Sequence, residues 1–166
     1  MFLRMGDAVI YAYGVSLPGT HHIKNNVVCQ DSYKIIICDD NTAMAVVADG
    51  LGSVANADIG SRLAATMSAD YCREHIDSNT AADKVLDIIK GAFSAALESI
   101  ERVSIEKGNH LESYDTTLTL AVLMQDTLFY GHSGDGGIIA LTSTGRYEQV
   151  TKQQRDCEGR VFPLFF

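Results

Sequence analysis

The repeat of the apolar residues changes twice along the chain, and this change limits the folds that the sequence can adopt. Short runs rich in β-branched, aromatic and small apolar residues lie before residue 50 and again after residue 116, which is typical of β-strands. Between them, apolar residues recur at every third or fourth position, the repeat of an amphipathic helix. The order of strands, helices and strands predicts an α+β domain in which helices cover antiparallel sheet.

Turn sequences separate the predicted strands. The strands cover residues 8–17, 32–38, 42–48, 117–124, 127–132, 137–141 and 147–151. Asp39-Asp40-Asn41, Gln125-Asp126 and Ser143-Thr144-Gly145 connect neighbouring runs, and these residue types favour tight turns. Successive strands are therefore expected to pair as hairpins, and residues 18–30 form a polar loop that is long enough to be functional.

Two helices are expected between the strands. The first begins near Ala55 and carries an apolar residue at every fourth position, namely Ile59, Leu63, Met67 and Tyr71. The second follows Thr80. Together with Asp83 three residues later, Thr80 resembles a capping box. Its apolar stripe continues to Ile100, and Gly108 is expected to end it.

Length and composition bound the class of protein. At 166 residues and 46% hydrophobic composition, the chain can bury one core and predicts a single domain over residues 1–166. A formal charge of -8 opposes binding to nucleic acid. The sequence contains no apolar run of about 18 residues that would predict a membrane span and no secretory leader. We expect a cytoplasmic protein with no nucleic-acid or membrane partner.

Three polar clusters interrupt the apolar pattern at the ends of predicted strands. Each contains one aspartate beside a strand, Asp31, Asp49 or Asp135, and glycines surround the second and third. Carboxylates and accessible backbone carbonyls are the oxygen ligands that hard divalent cations prefer. Any one of these clusters alone is more often a turn, so the hypothesis of a functional site depends on their order.

That order resembles the type 2C metal-dependent serine/threonine protein phosphatases, in the bacterial branch of the family. Four segments carry the resemblance over nearly the whole chain: residues 19–22 (GTHH) with 29–33 (CQDSY), residues 46–53 (VVADGLGS), residues 116–118 (TTL) and residues 131–137 (GHSGDGG). The resemblance implies a four-layer α/β/β/α sandwich with antiparallel sheets. This chain would be its N-terminal part, incomplete at the C-terminus.

The resemblance also implies a metal site and a reaction. Asp49 would bridge two Mn²⁺ or Mg²⁺ ions, and Gly50 would contribute its carbonyl oxygen. Asp31 would hydrogen-bond metal-bound water, and Asp135 would lie nearby and help to hold a third ion. The implied reaction is the hydrolysis of phosphoserine or phosphothreonine on a phosphoprotein by a metal-activated water, without a phosphoenzyme.

Several positions depart from the family pattern. His22 stands where many members have a phosphate-binding arginine, which makes it the candidate phosphate ligand. Leu51 stands where eukaryotic relatives often have a histidine, and it cannot transfer a proton. Gln30 replaces a common glutamate and Asp115 a common glycine. Nothing after Asp135 matches the family's remaining metal carboxylates.

These departures leave alternatives open. The leading hypothesis is an enzyme, although this chain alone would be a poor catalyst without the later ligands. The second is a pseudophosphatase or regulatory binding module that keeps the fold without turnover, and the third is a structural domain whose aspartates belong to unrelated turns. The apolar residues 161–166 additionally predict self-association.

Overall fold

The computed structural model describes residues 2–5, 8–39, 41–77 and 79–165. The elements of these residues, in chain order, are β1 (Phe2–Met5), β2 (Ala8–Tyr11), α1 (Thr20–Asn25), β3 (Asp31–Asp39), β4 (Thr42–Asp49), α2 (Ala57–His75), α3 (Ala82–Lys107), a 3₁₀ helix (Leu111–Tyr114), β5 (Leu118–Met124), β6 (Thr127–Ser133), β7 (Ile139–Leu141) and β8 (Tyr147–Gln149).

A four-stranded antiparallel sheet in the order β3-β4-β5-β6 forms the centre of the structure. Two of its pairings, β3 with β4 and β5 with β6, are hairpins, whereas β4 and β5 pair across the two long helices. The strands β1 and β2 form a separate ribbon, as do β7 and β8. Antiparallel hairpins between sequence neighbours are what the turn sequences predict.

The hydrophobic core lies between one face of this sheet and the helices α2 and α3. Alternation along β4 sets the two faces, because Met44, Val46 and Ala48 are buried while Ala45 and Val47 are exposed. The helices contribute mainly small or β-branched residues to the core: Ala64, Ala65, Ala69, Val85, Ile89, Ala92, Ala96 and Ile100. Small side chains allow the helices to pack close to the sheet.

The opposite face of the sheet is partly covered by the segment that follows β2. The Tyr33 hydroxyl donates a hydrogen bond to the Gly14 carbonyl oxygen at 2.8 Å, which ties this segment to β3. Tyr13 remains 91% exposed and Val47 remains 51% exposed. The predicted α+β fold with antiparallel sheets is confirmed, and the described residues form one helical layer against one principal sheet.

Three local predictions differ from the structure. The first predicted strand is only four residues long, because the ladder between β1 and β2 ends at the pair of Phe2 and Tyr11. The polar loop contains the short helix α1, which ends at Asn26 with a φ of 54°. The Thr80 hydroxyl bonds Asp77 rather than the helix, so the expected capping box does not form.

Two other predictions concern the end of α3 and the apolar segment at residues 161–166. Gly108 ends α3 in the left-handed region with a φ of 67°, as predicted. Leu164 and Phe165 pack against the core cluster, so these apolar side chains have partners within the chain, while Phe166 lies outside the described residues. In the part of the chain that the structure describes, no helix has the length and apolarity that a membrane crossing requires.

Candidate functional site

Two of the predicted aspartates face each other at one end of the sheet. Asp31 is the first residue of β3 and Asp49 is the last residue of β4, and the antiparallel register pairs them directly. The Cβ atoms of such a pair are about 4.5–5.5 Å apart, and like charges at this distance repel. The hairpin therefore concentrates negative charge at the rim of the sheet.

This environment raises the pKa of the Asp49 carboxyl to about 6. Partial burial at the rim is the largest cause, followed by a hydrogen bond and charge repulsion from Asp31 and then repulsion from Asp135. The charge of His22 acts in the opposite direction. All three predicted aspartates and the predicted histidine thus belong to one electrostatic neighbourhood, which positive charge would stabilise.

The backbone of Asp49 is fixed by the two threonines that precede β5. Its N–H donates to the Thr117 hydroxyl oxygen at 3.0 Å, and its carbonyl oxygen accepts from the Thr117 N–H at 2.8 Å and from the Thr116 hydroxyl at 3.1 Å. Both threonines are buried. The sequence identified these threonines as a motif, but their function of anchoring Asp49 becomes evident only in the structure.

Gly50 lies where the chain has no room for a side chain. A Cβ atom there would be 2.4 Å from the Ala57 carbonyl oxygen and 2.8 Å from the Gln30 carbonyl oxygen. The Gly50 N–H donates to the same Gln30 oxygen at 3.1 Å, and Gly50 forms a bridge with Thr116. This close approach requires glycine and places its backbone beside the aspartate pair.

Asp115 replaces a family glycine and joins this region through its backbone. Its carbonyl oxygen accepts a hydrogen bond from the Leu51 N–H at 2.9 Å. Its side chain is partly buried, which raises the pKa of the carboxyl, and its Oδ1 atom has no hydrogen-bond partner among the described residues. The substitution for glycine therefore leaves the backbone contact of the site intact.

Asp135 lies in the loop after β6 and is paired with a cation that the sequence did not single out. Arg155 Nη2 forms an ion pair with Asp135 Oδ2. Gln153 donates a side-chain hydrogen bond to the Asp135 carbonyl oxygen at 3.2 Å, and the Gln154 N–H donates to the Gly134 carbonyl oxygen at 2.7 Å. The segment after β8 thus fixes the loop that carries Asp135.

His22 is on α1, close to the aspartate pair. Its Nε2 atom is 3.3 Å from the Gln30 side-chain oxygen, so Gln30 orients the ring from the residue before Asp31. Cys29 belongs to the same segment, and its Sγ atom is 3.2 Å from the Ser16 hydroxyl oxygen. The structure therefore gathers His22, Asp31, Asp49 and Gly50 at one rim, and the charge of Asp135 acts on Asp49 there.

The donors at this rim fit a hard divalent cation in their chemistry. They are carboxylate oxygens and a backbone carbonyl, which suit Mg²⁺ or Mn²⁺. Within the described ranges, no group of three or more His, Cys, Asp or Glu side chains is arranged to hold a metal ion.

A family model for protein phosphatase 2C matches residues 18–160. The chain belongs to the protein phosphatase 2C family. The matched region includes the aspartate pair, both anchoring threonines and the loop of Asp135. Proteins of this family are metal-dependent serine/threonine phosphatases, and the resemblance stated from the four motifs is confirmed. No curated protein matches the chain significantly.

Solved structures of 2C-type phosphatases share the fold. The serine/threonine phosphatase Stp1 from Staphylococcus aureus is similar with a TM-score of 0.62 and 15% identity, over 84% of this chain and 52% of that one. A Stage II Sporulation E family protein from Thermanaerovibrio acidaminovorans is similar with a TM-score of 0.57 and 20% identity, over 75% of this chain and 54% of that one.

The Mycobacterium tuberculosis serine/threonine phosphatase PstP/Ppp gives a TM-score of 0.56 and 21% identity, over 75% of this chain and 48% of that one. The chain thus spans about half the length of the solved structures that it matches. At these identities the likeness establishes the fold of the chain.

Proposed function

We propose that the protein containing this chain hydrolyses phosphoserine and phosphothreonine on phosphoproteins in a metal-dependent reaction. The observation that carries the proposal is the direct pairing of Asp31 with Asp49 at the rim of the sheet, beside a glycine whose surroundings exclude any side chain. Membership of the protein phosphatase 2C family supports it. We further propose that the protein acts in the cytoplasm of a bacterium and takes no nucleic-acid or membrane partner.

In this proposal the metal ligands from this chain are Asp49, the Gly50 carbonyl oxygen and Asp135, and the ions are Mn²⁺ or Mg²⁺. When bound, the ions would supply a water activated for in-line attack on phosphorus and neutralise the charge of the phosphoryl oxygens. Asp31 would accept a hydrogen bond from that water and so orient it. His22 contributes a donor that can contact a phosphoryl oxygen.

The rigid support of Asp49 favours this assignment. A carboxylate whose backbone N–H and C=O are both bonded to buried threonines loses little freedom when it binds a ligand. The raised pKa of Asp49 agrees with a carboxylate whose ionised form a nearby cation would stabilise. Without a cation, the repulsion of the Asp49 carboxylate by Asp31 and Asp135 would raise the free energy of the ionised site.

Substitution of Asp49 tests the proposal. Asp49→Asn in the full-length protein should abolish Mn²⁺-dependent hydrolysis of p-nitrophenyl phosphate, because a neutral amide removes the charge that two cations would share. Asp87→Asn is the matched control, since Asp87 pairs with Lys90 on the exposed surface of α3. Circular dichroism checks that both variants fold. Activity of Asp49→Asn equal to that of the wild type would refute the site assignment.

A second candidate function is a pseudophosphatase or regulatory module that binds a phosphoprotein without turnover. It is favoured by His22, which stands where many family members have a phosphate-binding arginine. The two functions differ in one measurement. A full-length protein that binds a phosphopeptide with Mn²⁺ present, and releases no phosphate from it, would support the second.

A further inference from the structure

Arg155 is a cation that the fold places directly against a predicted site carboxylate. Of the ion pairs that the described residues form, the pair of Arg155 and Asp135 is the one that includes a predicted site aspartate. The Arg155 side chain is 41% exposed, whereas that of Asp135 is 22% exposed. The chain has a formal charge of -8, so a cation in contact with a predicted site carboxylate is a notable exception to its acidic balance.

The position of Arg155 is fixed by the backbone around it. Arg155 forms a β-bridge with Val161, and its Nη1 atom donates to the Gly159 carbonyl oxygen at 2.8 Å. The preceding residue, Gln154, exchanges two hydrogen bonds with Gly134, through its own N–H and through its side-chain oxygen. The guanidinium is therefore held beside the Asp135 loop by both of its neighbouring segments.

The guanidinium keeps donors for a ligand. Arginine has five N–H groups, and the hydrogen bonds within the described part of the chain use one from Nη1 and one from Nη2. The remaining N–H groups lie in the same plane, which suits two oxygens of one phosphate group. His22, the candidate from the sequence, has one ring nitrogen facing the Gln30 side chain.

Asp135 connects Arg155 to the aspartate pair. A Cβ atom on Gly134, the residue before Asp135, would lie 2.4 Å from the Thr117 side chain. Thr117 in turn bonds the backbone N–H and carbonyl oxygen of Asp49, so the loop that Arg155 contacts packs against the anchor of the aspartate pair. A phosphoryl group beside Asp49 would meet repulsion from these carboxylates. A fixed guanidinium at the same rim offsets that repulsion and directs the anion.

We propose that Arg155 binds the phosphoryl group of the substrate, in the role that an arginine of the first loop has in many family members. This inference rests on the proposed phosphatase function. The ligand class is a phosphate monoester dianion, bound through a planar pair of N–H groups, and Asp135 orients the guanidinium for it. His22 then becomes a secondary contact.

Three variants of the full-length protein test this assignment: Arg155→Gln, Arg155→Lys and the control Arg160→Gln. Arg160 belongs to the same loop, is 72% exposed, and pairs with Asp156 and Glu158 rather than with the site. The readouts are KM for a phosphopeptide, the inhibition constant of inorganic phosphate, and the Mn²⁺ concentration that gives half-maximal activity. Thermal unfolding checks that each variant is folded.

Arg155→Gln should raise KM and the inhibition constant of phosphate about tenfold or more, the loss expected for a charge-assisted hydrogen bond. Arg155→Lys should recover part of this loss, because it keeps the charge without the planar fork. Arg160→Gln should match the wild type. An unchanged phosphate inhibition constant in Arg155→Gln, with only the Mn²⁺ requirement altered, would show that Arg155 merely positions Asp135 and would overturn the proposal.

Calorimetric titration of inorganic phosphate into the Mg²⁺-loaded protein separates this inference from the proposed function. Binding by the wild type that weakens about tenfold in Arg155→Gln supports the phosphate site even where no phosphopeptide is hydrolysed, and in that case the proposed function alone fails. Equal phosphate affinity of the wild type and Arg155→Gln, or no binding by either protein, refutes the role of Arg155.

Discussion

Replacing Gly60 by alanine should destabilise the protein, because the site and the core meet at this glycine. Gly60 is in the first turn of α2, and a Cβ atom there would lie 2.0 Å from the Tyr114 carbonyl oxygen and 2.9 Å from its carbonyl carbon. Tyr114 is fully buried, and its hydroxyl accepts a hydrogen bond from the Asn109 side chain at 2.9 Å. The added methyl group would therefore clash with the backbone carbonyl of a buried residue.

The size of the effect follows from two opposing contributions. Alanine gains about 1 kcal/mol over glycine in a helix interior, whereas forcing a methyl group into a packed site typically costs about 1–3 kcal/mol, occasionally more. A backbone carbonyl cannot change rotamer to avoid the methyl group, as a side chain can. The cost at Gly60 should therefore be at or above the upper end of that range, about 3 kcal/mol. We expect a net loss of about 2 kcal/mol, which lowers Tm by about 4–8 °C in a chain of this size.

Gly91→Ala is the matched control. This glycine is in α3, and its added Cβ atom would meet the end of the Tyr71 side chain, with the hydroxyl oxygen at 2.4 Å. Tyr71 is half-buried and stacks on His75, so its ring can shift at small cost. Thermal unfolding followed by circular dichroism should show a Tm within a few degrees of the wild type.

The activity assay adds a second readout to this pair of variants. The 3₁₀ helix that ends at Tyr114 leads directly into Asp115, Thr116 and Thr117, which bond Leu51 and Asp49. Displacement of the helix should therefore reduce Mn²⁺-dependent turnover in Gly60→Ala more than in Gly91→Ala. A Gly60→Ala protein as stable as the wild type, or an equal loss in both variants, would refute the reasoning.

Three further predictions concern the thiols and the metal. Cys29→Ser should keep most of the activity, because the proposed nucleophile is water and serine can retain the contact with Ser16; complete loss with intact metal binding would indicate a covalent mechanism. Burial raises the pKa of Cys72 to about 12, so this thiol stabilises the fold below its unfolded pKa of about 8.5 and that stability is lost as pH rises. Tm measured from pH 8 to 11 should fall more steeply for the wild type than for Cys72→Ala, and parallel curves would contradict this. Calorimetric titration of the 166-residue chain with Mn²⁺ should show weak binding and negligible turnover, because the described residues lack a three-residue metal cluster; tight binding of two ions with full turnover would be the contrary result.

Local sequence pattern predicts the β3–β4 hairpin but not its register. The turn around residue 40 predicts that the strand ends with Asp31 and Asp49 lie at one rim. The hairpin closes with Asp39 opposite Thr42, and a register shift between Ile37 and Asp39 then brings Asp31 opposite Asp49. No local pattern indicates this shift, so the direct pairing of the two aspartates becomes evident only in the structure.

The remaining contacts of the site join residues that are far apart in sequence. Asp49 and Thr117 are separated by 68 residues and two helices, and no periodicity relates them. Arg155 lies in a charged segment without strand or helix pattern, yet it pairs with Asp135. The helix α1 begins at Thr20, and the preceding Gly19 has no side chain that could cap it, so the usual signal for a helix start is missing from the loop that contains His22.

The two halves of the site are supported in different ways. Asp49 and Gly50 are bonded to buried threonines and packed against α2, so their geometry can change only if the core changes. Asp135 is held by Gln153, Gln154 and Arg155, whose hydrogen bonds are largely exposed to solvent. Exposed hydrogen bonds open at lower free energy than the core does. The Asp31–Asp49 pair is therefore the more rigid half of the site, and the proposed contact of Arg155 with a phosphoryl group depends on the hydrogen bonds that hold its guanidinium beside Asp135.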